Sequence, residues 1–158
     1  MTSWNNPTRW QGLLDGSDCP ICVRGEPLDI ITTLPASWLT MPADAAMAGY
    51  VCLVSRVHVV ELHDFDDKQA AAFMADARRV SRTVQRVTGA VKLNYEMHGN
   101  ILPHLHMHFF PRHPGDAFEG RAIDPRTVEG PVYSAGEFEA MRRRIQAALE
   151  AGNHQGAN

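Results

Sequence analysis

Residues 103–111 read Pro-His-Leu-His-Met-His-Phe-Phe-Pro and set His104, His106 and His108 at a strict period of two. Successive side chains of a β-strand point to opposite faces, so the three imidazoles are expected on one face and Leu105, Met107 and Phe109 on the other. Imidazoles this close repel one another when protonated; the pattern favours neutral rings, a bound anion or a metal. A neutral histidine is a nucleophile toward phosphorus, and its neighbours can donate hydrogen bonds to phosphate oxygens as charge grows there. Gly99 and Asn100, just ahead of the run, add a glycine that admits close backbone approach and an amide that can bind an anion. A catalytic metal on all three rings is the alternative, but side chains two residues apart on a strand stand about 6.5–7 Å from each other and converge poorly on one ion.

Cys19-Pro-Ile-Cys22 is a second chemical cluster. Two thiolates at this spacing can share a tetrahedral metal, provided that two further ligands come from elsewhere in the chain; reduced core cysteines and a redox pair are the other readings. The chain holds 3 cysteines, an odd number that does not suggest a secreted disulfide framework. Cys52, within an apolar run, is expected to be a small core residue.

Elements that would carry these groups can be read from periodicity. Residues 28–34 and 50–54 are rich in β-branched and apolar side chains and are expected as strands, with residues 35–49 a loop between them. Val91, Leu93 and Tyr95 alternate with polar residues just before the histidine run, which suggests a hairpin or adjacent strands joined through His98, Gly99 and Asn100. Phe73, Ala77, Val80, Val84 and Val87 follow a helical stripe; Asp64 or Asp66 can cap its start and Gly89 its end. Ser134-Ala-Gly-Glu137 has capping-box form ahead of a second stripe of Phe138, Met141, Ile145 and Leu149, whose Arg142-Arg143-Arg144 is expected to be a solvated face. The sum is an α+β domain with one antiparallel sheet backed by a long helix.

The 158 residues, 44% hydrophobic and 21% charged, are ordinary for one globular domain, and the net charge of −3 argues against a nucleic-acid polymer as partner. No leader or membrane span is evident, and a cytoplasmic protein is expected. We expect an N-terminal extension over residues 1–17 with Trp4 and Trp10 as anchors, a folded domain over 18–150 and a flexible tail over 151–158.

Asn94, then Gly99-Asn100-Ile101-Leu102-Pro103, then His104-Leu-His106-Met-His108-Phe-Phe-Pro111-Arg112 resembles the signature of the histidine triad (HIT) family of nucleotide hydrolases and transferases. The run from Gly49 through Tyr50 to His58 is similar to the family's upstream strand, and the likeness spans roughly residues 19–128. The resemblance implies a HIT-like fold with a sheet of about five strands, the long helix packed on it and a C-terminal helix. It implies a hydrolase or nucleotidyltransferase of the diadenosine-polyphosphate hydrolase-like branch, attacking the α-phosphate of a dinucleoside polyphosphate or other adenylated substrate. His106 would be the nucleophile, forming a nucleotidyl-histidine. Asn94, Gly99, Asn100, Ile101 and His108 would bind substrate, although Asn94 lies one residue closer to Gly99 than in some members. Structural zinc on Cys19, Cys22, His58 and His104 is implied by similar members that carry a Cys-x-x-Cys. A small-molecule nucleotide partner and a homodimer through the long helix and an edge strand follow by resemblance; a non-catalytic purine-nucleotide-binding module is the alternative function.

Two positions depart from the family pattern: Tyr50 stands where many members have histidine, and Ser55 where they have proline. The ribose-contacting residue is expected in the 38–48 loop, where Thr40, Pro42 and Asp44 are the candidates. His63, His98 and His113 are expected at the surface, and His154 in the tail. The segment 116–126 resembles the part of related hydrolases that follows the triad, and it is a candidate for substrate choice with Arg112 and Arg121.

Overall fold

A computed structural model of the chain describes residues 3–153. Within them five strands, β1 (Ile30–Thr33), β2 (Ser37–Thr40), β3 (Val51–Ser55), β4 (Lys92–Glu96) and β5 (His106–Arg112), form one antiparallel sheet in the order β1-β2-β3-β5-β4. Helices α1 (Pro7–Leu14) and α2 (Pro20–Arg24) precede the sheet, α3 (Asp67–Thr88) crosses from β3 to β4, and α4 (Glu137–Asn153) closes the chain.

The stripe read from the sequence is the buried face of α3: Phe73, Ala77, Val80 and Val84 are buried and Val87 is half-buried. They pack on Leu39, Val51, Leu53, Met107 and Phe109 from one face of the sheet and on Ile145 and Leu149 from α4. Each of the larger aliphatic and aromatic side chains contributes about 1.5–3 kcal/mol by leaving water. Asp66 caps α3 reciprocally with Gln69, each side chain accepting the other's backbone N–H at 2.7 and 3.1 Å. Arginines of α3 and α4 tie the two helices to their neighbours: Arg79 donates to the Leu149 carbonyl, Arg144 to that of Val87 and Arg142 to that of Ile30. Of the run expected as a solvated face, Arg142 and Arg144 thus staple backbone ends.

Three expectations about elements change. The stretch 35–49 contains a strand, β2, and its prolines at 35 and 42 bound it rather than forbid it, because a proline need only lie outside the hydrogen-bonded ladder. The N-terminal segment is not irregular: Asn6 caps α1 by accepting from the Arg9 N–H, Pro7 occupies the first turn, and Leu13 is buried. Trp4 and Trp10 meet edge-to-face at 5.9 Å, with Trp4 exposed and Trp10 half-buried. Finally, of Val91, Leu93 and Tyr95 only Leu93 is buried, because β4 is a sheet edge that the helices do not fully cover. His154 lies outside the described residues, and α4 runs through Asn153. No helix among the described residues is long and apolar enough to cross a membrane.

Candidate active site

Strand register sorts the face opposite α3. Val54 lies across from His106, Cys52 across from His108, and Glu96 across from His108 on the other side; side chains at paired positions share a face. Cys52 is buried, as expected of a small core residue, and joins Cys19, Ile21 and Val54 in a second, smaller apolar cluster at the base of the ligand face. A cavity of about 650 Å³ opens here, within the range of small-molecule sites, lined by Ile21, Thr40, Pro42, Val54, His106 and His108 among others.

The three histidines do not share one face. β5 begins at His106, and His104 sits in the bend before it, fully buried and turned toward the cysteines. His106 and His108 keep the two-residue period, their rings 4.8 Å apart and nearly perpendicular. The His106 Nδ1 lies 2.7 Å from the backbone carbonyl of His104. A carbonyl only accepts, so the ring hydrogen is on Nδ1 and the lone pair is on Nε2. Burial holds His106 below its ordinary pKa, and the ring is neutral near pH 7. That combination is what a nitrogen nucleophile needs.

His108 is pushed down to about 4 by burial first, then by the neighbouring His106 and His98. Its Nδ1 is 2.6 Å from the hydroxyl of Tyr50, the residue that departs from the family's histidine. Burial raises the Tyr50 phenol, which keeps its proton. A phenol both donates and accepts; when Tyr50 donates to Nδ1, His108 carries its own hydrogen on Nε2 and can donate to an anionic oxygen. Tyr50 also stacks on the His108 ring at 5.8 Å and packs tilted against Phe110 at 4.9 Å, which fixes the wall beside the histidine.

Cys19, Cys22, His58 and His104 bring four ligand atoms within 4.8 Å of one another. The His104 Nε2 donates to the Ser55 carbonyl at 2.8 Å and the His58 Nε2 to the Leu14 carbonyl at 2.9 Å. Both rings therefore hold their hydrogen outward and face each other with Nδ1 lone pairs at 3.2 Å, an arrangement in which neither can donate. The Nδ1 of His58 is 3.2 Å from the Cys22 sulfur, and that of His104 is 3.5 and 3.7 Å from the sulfurs of Cys19 and Cys22. A zinc tetrahedron with bonds of about 2.0–2.1 Å to nitrogen and about 2.3 Å to sulfur has edges of roughly 3.3–3.8 Å. Two backbone carbonyls holding the outer N–H groups supply the orienting shell such ligands require. The residues fit a structural zinc ion, which would join the N-terminal segment, the turn after β3 and the start of β5.

Local sequence explains how these ligands arrive. Gly16 adopts φ +87° beside the His58 ring, where an added Cβ would stand 3.3 Å from the imidazole, so a larger residue would press on the ligand. Ser55, in the place of the family's proline, donates its N–H to the Leu105 carbonyl at 3.0 Å and its hydroxyl to the Val57 carbonyl at 2.7 Å. It extends the pairing toward β5 and shapes the turn that delivers His58.

Gly99, Asn100 and Ile101 line the cavity with His106 and His108, and Gly99 takes φ +74° in the connection between β4 and β5. Asn94 is not among the residues lining these cavities: it lies opposite Phe110, while Glu96 is the β4 side chain opposite His108. Of the 38–48 loop, Thr40 and Pro42 line the large cavity, and Pro42 and Asp44 line an adjoining one of about 580 Å³. Arg112 and Arg121 do not reach the site. Arg112 is buried in a two-pronged pair with Asp116, both contacts 2.8 Å, and Arg121 donates to the Ala117 carbonyl and packs on Phe118. Arg126 lines both cavities instead, braced by Asp124 at 2.8 and 3.0 Å in the turn Pro125–Thr127. His63 is exposed as expected, and His113 is half-buried. His98 is exposed, as expected, and its ring also stands 5.6 Å from His108 and lines the cavities. No sequence signal separates it from a turn histidine, because its partner Glu96 becomes informative only through the strand register.

Comparison with known proteins supplies the frame for this geometry. The HIT domain profile matches residues 24–115. A histidine triad protein from Bradyrhizobium japonicum is 32% identical, with a TM-score of 0.67 over 76% of this chain and 89% of that one. A Zn-bound histidine triad family protein from Mycobacterium smegmatis shares the fold at 19% identity and a TM-score of 0.62, covering 87% and 94%. A diadenosine triphosphate hydrolase from Plasmodium falciparum, solved in complex with Cyclomarin A, does so at 12% identity and 0.56, covering 80% and 78%. No curated protein matches in sequence. The matched span contains the sheet, the long helix and the His104–His106–His108 segment, and on that evidence the chain belongs to the HIT domain family.

Proposed function

We propose that this chain is a nucleotide hydrolase or nucleotidyltransferase that attacks the α-phosphate of an adenylated compound, a dinucleoside polyphosphate or similar, through a nucleotidyl-His106 intermediate. The observation that carries this is the His106 ring itself: neutral by burial, with Nδ1–H held by the His104 carbonyl and the lone pair left on Nε2 at the cavity. The Nε2 lone pair forms a bond to phosphorus as the bond to the leaving oxygen breaks. His108 donates from Nε2 to a phosphate oxygen, a hydrogen bond that strengthens as charge builds there. Gly99, Asn100 and Ile101 flank the phosphate, and the apolar side of the cavity, with Ile21, Pro42 and Val54, takes the nucleoside. Asp44 is the candidate for the ribose hydroxyls. Water or a second acceptor then displaces His106.

Zinc on Cys19, Cys22, His58 and His104 is a structural part of this reading, supported by the donor set and by the Zn-bound relative. Homodimerisation is supported by the exposed Tyr95 of β4 and Val91 just before it, because β4 is an edge strand that a second copy would cover. The deciding experiment is a panel of adenylated compounds assayed for AMP, ADP and ATP release by the wild type and by His106→Ala. AMP release by the wild type alone supports the mechanism. Tight nucleotide binding by both proteins without turnover by either replaces it with a binding module.

A further inference from the structure

His98 is a histidine at the phosphate side of the cavity that neither the nucleophile nor the cysteine cluster uses. Glu96 stands opposite His108 in the β4–β5 register, on the ligand face, and its carboxylate lies 2.9 Å from the His98 Nε2. The carboxylate accepts, so the ring hydrogen is on Nε2, and Nδ1 has no hydrogen-bond partner among the described residues. Besides the large cavity, His98 and His106 also line a small cleft of about 140 Å³ beside the triad. The His98 side chain is 51% exposed and can meet an incoming ligand, whereas Glu96 is 21% exposed and is shielded enough to hold the ring in one orientation. A carboxylate that fixes one nitrogen of an imidazole and leaves the other to exchange a proton is the working half of an acid–base pair.

Resting on the nucleotidyl-His106 reading, we propose that the Glu96–His98 pair is the general acid and base of this site, serving substrates whose leaving group must be protonated to depart. In the first step the His106 Nε2 lone pair forms the N–P bond, the P–O bond to the leaving group breaks, and its electron pair takes the proton from Nδ1–H of protonated His98. In the second step neutral His98 takes a proton from water at Nδ1 as the water oxygen bonds to phosphorus, and the P–N electron pair returns to His106. His98 ends protonated and His106 neutral, as they began. Glu96 is a positioning residue that also offsets the imidazolium charge. A leaving phosphate chain is already a weak base and gains little from such a pair; an alcohol or phenol of ordinary basicity gains a great deal.

The test is a leaving-group series: the 4-nitrophenyl and phenyl esters of AMP, turned over by the wild type, His98→Gln and Glu96→Gln. General acid catalysis contributes about 10²–10⁴-fold, so His98→Gln should lower kcat on the phenyl ester about 100-fold or more and on the nitrophenyl ester less than about fivefold. Glu96→Gln should follow the same pattern with a smaller loss, and added imidazole should restore part of the phenyl-ester rate of a His98→Ala variant. Equal losses on the two esters, or none, overturn the proposal while leaving the nucleotidyl-His106 reading intact. A wild type that cleaves neither ester yet releases AMP from the adenylated compounds overturns this proposal alone, and one that releases AMP from neither set removes both.

Discussion

Two neighbouring groups of histidines in this chain share a residue type and almost nothing else. In the cysteine cluster, His58 and His104 turn their N–H groups outward to carbonyls of Leu14 and Ser55 and leave lone pairs facing one another. On the ligand face, His106 holds its N–H on a carbonyl and keeps its lone pair at an open cavity. Convergent lone pairs in a closed site suit a cation, and a single lone pair at a cavity suits attack on an electrophile. The difference is set by which backbone acceptor each ring finds, not by the imidazole. The two groups are joined covalently and by one hydrogen bond, since the His104 carbonyl orients His106.

The sharpest way to separate the regions is to remove one member of each. His106→Ala should lower turnover on the order of 10⁴-fold or more while zinc content and the melting temperature stay near wild type. Cys19→Ser should do the reverse in its primary readout: loss of bound zinc by elemental analysis and a stability loss of several kcal/mol, on the order expected when a structural metal site is broken. Loss of zinc in the His106 variant would merge the two regions into one site and break the comparison.

Acid should act on the ligand face through its neutral rings. The unfolded chain takes a proton on a histidine near 6.5, whereas folded His108 takes it only near 4. The stability that this group contributes is complete above about pH 6.5 and is lost as pH falls from there toward 4, up to about 3 kcal/mol from His108 alone. Denaturant midpoints measured across that window should fall with pH, and His108→Gln should flatten the slope. Smaller again is the effect of Tyr50→Phe. Removing a neutral hydrogen bond to His108 should lower kcat about 3- to 10-fold with the fold unchanged, reporting the orientation of the donor ring. Smallest is the choice between arginines: Arg126→Ala should raise KM for a polyphosphate substrate about two- to fivefold, and Arg121→Ala should leave it unchanged.

Much of this layout was legible along the chain because the signals are local. The α3 stripe, its Asp66 cap, the strand around Leu53 and the order of histidines and cysteines all depend on residues a few positions apart, and they reappear where expected. The family signature also carried the pairing of Cys19 and Cys22 with His58 and His104 across the sequence. Other features were not legible. β2 was hidden between two prolines because its hydrogen bonds run to β1 and β3, which a linear reading does not see. Asn94 and Glu96 lie on the same face and differ by two residues, and only the register against β5 brings Glu96, rather than Asn94, to His108. Arg112 and Arg121 looked as available as Arg126 until Asp116 and the Ala117 carbonyl were seen to occupy them.

The sequence by itself determined the chemical inventory: three histidines at a two-residue period, a glycine and an amide just ahead of them, a pair of thiols, and the periodicities that bury one face of each element. Tertiary structure decided the division of labour within that inventory. It began β5 at His106, so that His104 turned to the cysteines, and it set Tyr50 against His108 and Glu96 against His98. Hydrogen-bond direction is the physical reason. A ring nitrogen becomes a ligand, a nucleophile or a donor according to the acceptor beside its other nitrogen, and those acceptors are backbone carbonyls and side chains that only the folded chain brings within 3 Å or so.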